Sequence, residues 1–407
     1  MRVLFLDAYF EPEQIAFTHL EHDLLEGLVN AGHEVEIVCP TPTRGISPDK
    51  AKAYKKRKNE YMFKKHVHIT RFSAPQEGKN PIIRALRYFW CNLRTYQIGK
   101  NVKDIDVVFC NSTPPTQGWV AGKIAKKLHA PLIYSLQDVF PDSLVTTGMT
   151  SKGSVLWKIG RKLEDATYKR CKKIIVISES IKKNLVQKGV NPRKLEVISN
   201  WIDTDAIRQI PREKNRLFDE FEINRDKFIV LYAGNFGAAQ GAEIVLDVAE
   251  MLIDNKYIQF VIFGGGAGYQ AAVDKAGPLP NVFIHPLLPQ ERVAEVYSMG
   301  DVAIITCKKG VGKSGMPSKT WSIMACNTPI IAAFDRNSEM DKLLFLSKSG
   351  KCIEAENREA LIEQLLSPII NKKNNNGREY VKQHCSKMNC VKKYIDEMRQ
   401  ACENTND

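Results

Sequence analysis

The turn after the apolar run 228–232 carries residues suited to holding an anion. It contains Gly234, Gly237 and Gly241 and leads into a helical pattern. Small residues let backbone amides approach an anion closely, and the start of a helix adds partial positive charge. A single glycine would equally suit tight packing of a strand against a helix. Three of them at one helix start favour a phosphate site.

A second glycine run, Gly264–Gly268, follows the apolar run 258–263. It differs from the dinucleotide-binding fingerprint, because Tyr269 stands where the last glycine of G-x-G-x-x-G is required. This segment therefore predicts a tight loop at the rim of a nucleotide site rather than an NAD site.

A third segment, 310–322, combines glycines, hydroxyls and two lysines before a helical pattern. It is not a Walker A sequence, because Met316 and Pro317 stand where that motif has Lys followed by Ser or Thr. Lys313 and Lys319 could neutralise a diphosphate whose oxygens the loop amides bind. The alternative is that both lysines face water. The position of the loop at the end of an expected strand favours phosphate.

Polar residues also follow two apolar runs in the first half of the chain. Asp138 comes just after 132–136, where a carboxylate would point into a ligand crevice. It is a candidate for contacting a sugar hydroxyl or for proton transfer, and the alternative is a helix N-cap. Asn111, Ser112 and Thr113 follow 107–110 and are candidates for lining the same mouth.

Composition excludes several classes of protein. The net charge is +13, but no nucleic-acid-binding signature accompanies it, so we expect no nucleic acid partner. The ten cysteines form no Cys-x-x-Cys pair, as is typical of reduced thiols in a cytosolic protein. No apolar run is long enough to span a membrane, and the N-terminal one is too short for a signal peptide.

Two Asp-x-Asp tripeptides match the pattern with which some transferases hold a metal–nucleotide complex. The first, Asp104–Asp106, opens an expected buried strand, and the second, Asp203–Asp205, lies in an expected linker. Such tripeptides are common by chance. We therefore predict no essential metal.

Short apolar runs alternate with amphipathic helical patterns along the whole chain, which predicts two doubly wound α/β domains. The expected strands are 3–6, 35–38, 107–110, 132–136, 174–177 and 195–198, then 228–232, 258–263, 282–284, 302–306 and 329–332. Polar residues 200–222 separate the two series. Ligands of doubly wound sheets bind at the carboxyl ends of the strands, so we expect a site in the crevice between the two domains.

The first helix is expected to begin at Thr18, since Glu21 follows at the spacing of a capping box. Gly32 is expected to end it. Segment 42–80 fits no simple βα unit. Its lysine run 55–58 predicts a solvated face rather than a binding patch.

The segment from Ile82 to Arg94 interleaves bulky apolar residues with arginines. A basic amphipathic stretch rich in aromatics suits the interface of an anionic membrane. The alternative is a core-facing helix whose arginines reach out to solvent.

The order of these motifs resembles that of the family-four retaining glycosyltransferases, in particular the fucosamine-transferase-like branch of bacterial capsule and O-antigen synthesis. The segments that carry the resemblance span nearly the whole chain: Gly32–Val35, Gln137–Asp142, Ser199–Asp203, Gly234–Gly237, and Met324–Cys326 ahead of Pro329.

The resemblance implies a GT-B fold of two Rossmann-like domains that face each other across a cleft. The expected divisions are 1–205 for the acceptor side, 206–375 for the nucleotide-sugar donor, and 376–407 for a helix that crosses back to the first domain. It further implies a cytoplasmic enzyme, possessing no cofactor or essential metal, that transfers a sugar from a nucleotide donor, usually UDP, to a polyprenyl-diphosphate-linked saccharide. The alternatives are a nucleotide-sugar 2-epimerase of the same fold and a non-catalytic sugar-nucleotide or anionic-polymer binder.

This chain departs from the family pattern at the donor site. Placed by the resemblance, the usual pair of glutamates falls on Ser314 and Ser322, and the usual Arg and Lys fall on Asn235 and Gln240. Lys319 is therefore the candidate for the missing positive charge and, with Asp138, a catalytic candidate. The donor-side set is Gly234, Asn235, Gly237, Gln240, Gly264, Gly265, Ser314, Gly315, Pro317, Ser318, Lys319 and Ser322. The acceptor-side set is Gln14, Thr18, Asn111, Ser112, Thr113 and Asp138.

Overall fold

The computed structural model describes residues 1–13, 17–77, 81–146, 149–312, 316–367 and 376–403. The chain forms two compact units, one of residues 1–200 with 388–407 and one of residues 201–387. The chain thus passes from the first unit to the second after Asn200 and returns after Lys387, where the sequence placed these divisions at 205 and 375.

The first unit contains an eight-stranded sheet in the order β3-β4-β2-β1-β5-β6-β7-β8. All neighbouring strands are parallel except β3, which pairs antiparallel with β4. The strands are β1 (Arg2–Leu6), β2 (Glu34–Pro40), β3 (Asn59–Met62), β4 (Val67–Phe72), β5 (Val107–Asn111), β6 (Leu132–Leu136), β7 (Lys173–Val176) and β8 (Leu195–Val197). The helices are α1 (Thr18–Asn30), α2 (Pro48–Tyr54), α3 (Pro81–Gly99), α4 (Thr116–Leu128), α5 (Asp142–Thr146), α6 (Val155–Arg170) and α7 (Glu179–Gln187).

The second unit contains a six-stranded parallel sheet in the order β11-β10-β9-β12-β13-β14. Its strands are β9 (Phe228–Asn235), β10 (Ile258–Gly265), β11 (Val282–Pro286), β12 (Val302–Thr306), β13 (Ile330–Phe334) and β14 (Gly350–Glu354). Its helices are α8 (Leu217–Glu220), α9 (Glu243–Met251), α10 (Tyr269–Ala276), α11 (Val293–Met299), α12 (Lys319–Ala325), α13 (Glu339–Ser347), α14 (Arg358–Leu366) and α15 (Asn376–His384).

Both sheets are buried on both faces, as the continuous apolar runs of their strands require. In β9, Val230 and Tyr232 pack into one apolar cluster, while Ile229 and Leu231 pack into another. Side chains alternate between the faces of a strand, so these two clusters lie on opposite sides of the sheet.

The last helix, α16 (Lys387–Glu403), packs on the first unit. A Cβ added to Gly27 of α1 would lie 2.2 Å from a methyl carbon of Val391, so the two helices approach closely at that glycine. On the same helix, the Tyr394 hydroxyl is within 3.2 Å of the Ser135 hydroxyl at the end of β6.

Segment 42–80 contains the hairpin of β3 and β4, which the sequence did not indicate. Its outer strand is short, and the pattern of β4 is broken by His68 and Arg71. Arg71 is nevertheless buried, because its guanidinium donates to Glu60 at 2.7 Å and to the backbone oxygen of Glu11 at 2.5 Å. A paired arginine therefore stands where the apolar pattern would demand a hydrophobic residue.

The capping box expected at the first helix is wrong. The N-cap of α1 is Phe17, which makes no side-chain cap, and the Thr18 hydroxyl donates to the backbone oxygen of Glu13 at 3.0 Å. Glu21 is instead buried and accepts a hydrogen bond from Asn111 at the end of β5. Gly32 does follow the helix end, in a left-handed conformation (φ 77°) that favours glycine.

Candidate functional site

A cavity of about 490 Å³ lies wholly within the second unit, at the carboxyl ends of β9 and β12. Its wall combines the ends of these strands with α11 and the residues that lead into α12. Most of the lining is apolar, including Phe263, Leu287, Leu288, Pro289, Val293, Val296, Tyr297, Val311, Met316 and Phe334. A cavity of this size and character suits a small organic ligand.

Lys319, the first residue of α12, places an ammonium group at this cavity. Its Nζ donates to the backbone oxygen of Ala233 at 3.1 Å and lies 4.4 Å from the centre of the Tyr232 ring. Among the described residues, no carboxylate pairs with it. Burial lowers the pKa of Lys319 to about 8. The site therefore presents a desolvated cation whose charge is available to an anionic ligand.

A buried carboxylate fixes the loop after β12. Asp335, which is 7% exposed, accepts from the backbone N–H groups of Gly310 and Gly312, each at 2.8 Å. A Cβ on Gly312 would lie 2.5 Å from the Phe334 ring, so only glycine fits there. The loop is thus held against the end of β13 at one wall of the cavity.

The structure brings together half of the donor-side set. Gly234, Asn235, Gln240, Pro317, Ser318 and Lys319 line the cavity, whereas Gly237, Gly264, Gly265 and Ser322 stand outside its lining. Lys313, Ser314 and Gly315 lie outside the described residues. Ligand contact by each of these residues stays a prediction.

Gly264, which lies outside the lining, has a packing role. A Cβ on Gly264 would lie 2.8 Å from both the Phe236 and the Tyr269 rings, so glycine is needed for these rings to close over β10. Gly234 is different, because a Cβ there would lie 2.8 Å from the Lys319 ammonium. The absence of a side chain at Gly234 therefore leaves space for the Lys319 ammonium group.

The apolar wall was missed by sequence reasoning. Leu287, Leu288 and Pro289 follow β11, and Val293 and Val296 lie on the next helix. An apolar run that continues past the end of a strand was the available signal. It could not be distinguished from core packing without the cavity.

In the first unit, four of the six predicted acceptor-side residues lie at the carboxyl ends of β5 and β6, namely Asn111, Ser112, Thr113 and Asp138, whereas Thr18 begins α1. Asp138 is exposed two residues beyond β6. The Ser112 hydroxyl accepts from the backbone N–H of Gln137 at 3.1 Å, which ties the two strand ends together. Thr113 is partly exposed beside them, and Gln14 lies outside the described residues. Acceptor contact by these residues stays a prediction.

Asn111 connects a pair of buried carboxyl groups that the sequence did not reveal. Its Nδ2 donates to Asp7 at 3.3 Å and to Glu21 at 2.5 Å, and all three residues are at most 5% exposed. Burial raises the pKa of Asp7 to about 6, and burial and the neighbouring Asp7 charge raise the pKa of Glu21 well above its usual range. The position of Glu21 within the buried stripe of α1, four residues before Leu25, was the available signal.

We expect Glu21→Gln to stabilise the protein above pH 6. Both acid pKa values are raised on folding, so the folded state binds protons more tightly, and stability falls as pH rises through these values. Removing one buried acid should relieve a cost on the order of 1 kcal/mol and raise Tm at pH 8 by about 2–4 °C, with little change at pH 5. Thermal melts from pH 5 to 8 measure this, with the exposed Glu34→Gln as the matched control. A variant that is less stable than the wild type at pH 8 would show that the Glu21 charge is needed.

Both Asp-x-Asp tripeptides have structural partners. Asp106 accepts from the Arg2 backbone N–H at 2.7 Å, and Asp203 accepts from the backbone N–H groups of Asp205 and Ala206, each at 2.9 Å. Across the described parts of the chain, no three His, Cys, Asp or Glu residues are grouped so that they could hold a metal ion. Metal independence stays a prediction.

Helix α3 exposes much of its apolar side. The exposed fractions are 48% for Ile83, 64% for Leu86, 70% for Phe89, 43% for Trp90 and 40% for Leu93. The other side of α3 does face the core, since Cys91 and Thr95 are buried there. Arg87 is fully buried on that side as well, so this arginine does not reach out to solvent as the core-facing alternative expected. Within the described residues, no helix has the length and apolarity needed to cross a membrane.

Comparison with known proteins identifies the class. The model of Glycosyltransferase Family 4 matches residues 21–206, and that of the glycosyl transferases group 1 matches residues 213–384. WcaI of Escherichia coli K12, named for colanic acid biosynthesis, is 25% identical over 68% of this chain and 69% of its own length. WbjE of Pseudomonas aeruginosa, named as a glycosyltransferase, is 26% identical over 67% of this chain and 69% of its own length.

Solved structures share the fold. Sucrose-phosphate synthase from Thermosynechococcus elongatus superposes with a TM-score of 0.71 at 15% identity, covering 98% of each chain. Anabaena HepE in complex with UDP gives a TM-score of 0.71 at 12% identity, covering 98% of this chain and 100% of its own. The fold is the GT-B fold of glycosyltransferases, with two Rossmann-like units. This chain belongs to glycosyltransferase family 4 and is a glycosyltransferase.

Proposed function

We propose that this glycosyltransferase transfers a hexosyl or N-acetylaminosugar group from a UDP-sugar to a lipid-linked saccharide, with retention of anomeric configuration, in bacterial surface polysaccharide synthesis. The acceptor is a polyprenyl-diphosphate-linked saccharide of a capsule or O-antigen pathway. The enzyme acts at the cytoplasmic face of the plasma membrane.

The Lys319 ammonium group carries the donor proposal. A desolvated cation beside an apolar cavity of about 490 Å³ suits a ligand with a charged diphosphate and less polar ends. Anabaena HepE forms complexes with UDP and with UDP-glucose, which supports UDP as the nucleotide here.

Lys319 would act chemically on the leaving group. In a front-face displacement, the acceptor oxygen bonds to the anomeric carbon on the side from which the nucleoside diphosphate departs. Negative charge grows on the diphosphate oxygen as its bond to that carbon breaks, and the hydroxyl proton passes to the departing diphosphate. A preorganised ammonium group and backbone amides stabilise that charge more in the transition state than in the ground state. Asp138 positions the sugar or the acceptor from the first unit. The proposal includes no cofactor and no metal.

Two observations support the acceptor proposal. The relative WcaI is named for the synthesis of colanic acid, a polysaccharide. The exposed apolar side of α3, with Arg84 and Arg94 on the same helix, suits contact with an anionic membrane, where a lipid-linked acceptor resides.

The test is incubation of the purified protein with UDP-, GDP- and ADP-sugars, with and without a membrane extract that contains lipid-linked saccharides. We expect transfer from a UDP-sugar that depends on the extract, persists in EDTA and gives a product whose anomeric configuration, by NMR, matches the donor. Turnover of the donor without acceptor would indicate the 2-epimerase. Nucleotide binding without transfer to any extract would indicate the non-catalytic binder.

A further inference from the structure

A layer of three helices covers one face of the first unit's sheet. The Asn92 side chain of α3 donates to the Thr116 hydroxyl of α4 at 2.8 Å. A Cβ on Gly118 of α4 would lie 2.6 Å from the Thr167 side chain of α6, so these two helices also touch. We call α3, α4 and α6 together the helix layer.

The apolar exposure of the helix layer is not confined to α3. At the start of α6, Val155, Leu156 and Ile159 are 76%, 51% and 60% exposed, and Met149 just before it is 67% exposed. Both helices succeed parallel strands and run back along the sheet, so their first turns lie at the same edge, which is also the edge of Asp138. Apolar side chains therefore project at two places along one edge of the unit.

The charge of the helix layer has one sign over the same region. Neither α3 nor α4 contains Asp or Glu, and α6 has none before Glu164. Glu164 and Asp165 both bond to Arg161, and Glu77 near α3 is 3.4 Å from Arg84. The exposed lysines of the layer include Lys123, Lys126, Lys127, Lys158 and Lys162.

We propose that the whole helix layer, with the first turns of α6 as a second contact beside α3, is the surface with which the protein lies on an anionic bilayer. The proposal rests on the proposed membrane contact of α3 and extends it. Exposed apolar side chains enter the interfacial region, while the surrounding lysines face anionic headgroups. The Lys123 ammonium group lies 3.5 Å from the centre of the Trp119 ring, a cation–π contact that is suited to a partly apolar interface.

A second copy of the chain fits this surface less well. Two-fold contacts place the same patch on both partners, so the layer would set like charges against each other without acidic residues to pair them. An anionic bilayer complements both features of the helix layer, because its headgroups attract the lysines and its interfacial region accepts the exposed apolar side chains. It also brings a membrane-borne acceptor to the edge of the first unit at which Asp138 lies.

The experiment is flotation of the full chain with vesicles of equimolar phosphatidylglycerol and phosphatidylcholine. The double variant Lys158→Gln, Lys162→Gln removes two positive charges. It should lower the partition coefficient of the protein for these vesicles by about 30-fold, since each basic residue near such a surface contributes about 1 kcal/mol. Leu156→Ser with Ile159→Ser should weaken it by at least tenfold. The matched controls are exposed residues of the second unit, Lys256→Gln with Lys342→Gln and Phe345→Ser with Leu346→Ser, which should change it less than twofold.

A parallel Leu86→Ser, Phe89→Ser variant separates this inference from the proposed function. Loss in both the α3 and the α6 variants supports the layer. Loss in the α3 variant alone overturns the role of α6 and leaves the α3 contact standing. Wild-type protein that fails to float, or that forms a dimer disrupted by the α6 changes, overturns the bilayer as the partner. Unchanged far-ultraviolet circular dichroism and an unchanged Tm show in each case that the variants are folded.

Discussion

Lys319→Ala is expected to lower kcat/KM for sugar transfer by about 10²–10³, the effect of removing one preorganised charge at a developing anion. The ammonium group is held by Ala233 and by the Tyr232 ring at a cavity in which the described residues supply no carboxylate to neutralise it. The loss should appear in both kcat and UDP affinity. Steady-state kinetics and calorimetry with UDP measure the two.

The control for this variant lies in the same loop, three residues beyond the end of β12. Lys309 is an exposed lysine paired with Glu354 at 2.7 Å, and Lys309→Ala should leave both constants within about twofold. Lys319→Met keeps the length of the side chain but removes its charge. If the charge stabilises the leaving group, kcat/KM and UDP affinity should be as low in Lys319→Met as in Lys319→Ala. Equal activity of Lys319→Met and wild type would exclude the electrostatic role.

The pH dependence of UDP binding gives the same role an independent readout. Burial lowers the pKa of Lys319 to about 8, so the free enzyme loses the proton as pH rises through that value. UDP affinity should therefore fall above pH 8, by up to tenfold for each pH unit. Lys319→Arg keeps its charge and should show no such fall.

Asp335→Ala should damage the loop wall of the cavity. It leaves the N–H groups of Gly310 and Gly312 without their acceptor, at a cost of about 1–3 kcal/mol for each donor that stays buried. We expect a Tm lowered by several degrees and a UDP Kd raised by at least tenfold. Asp335→Asn retains an acceptor oxygen for one of the two donors. Its Tm and its UDP Kd should therefore lie between those of the wild type and those of Asp335→Ala.

The exposed Asp254→Asn of the same unit is the control, and it should change neither Tm nor UDP affinity. A purely structural role for Asp335 predicts a lowered Tm with an unchanged UDP Kd at a temperature where the variant is folded. That result would exclude Asp335 as a positioning residue for the donor site.

Elements that have a local cause could be predicted from the amino-acid sequence. Continuous apolar runs bounded by turn residues indicated most of the buried strands in their order along the chain, and β6 and β12 begin and end where the pattern placed them. The same reading named Lys313 and Lys319 as candidates for a diphosphate site, because lysines in a glycine-rich loop before a helix are visible in a few consecutive residues, and the family resemblance then singled out Lys319. Family membership likewise follows from motifs that occur in a fixed order along the chain.

Which of these residues contact each other depends on how the elements pack in three dimensions. Lys319 bonds to Ala233, Asp335 to Gly312, and Asn111 to Glu21, pairs separated by 86, 23 and 90 positions. The strands β3, β4 and β14 were missed. For β4 the reason is related, because this strand contains a buried arginine whose charge is satisfied by groups 11 and 60 positions away. Periodicity reports the side of an element that is buried, but the chemistry of a site depends on contacts between elements, which local pattern does not specify.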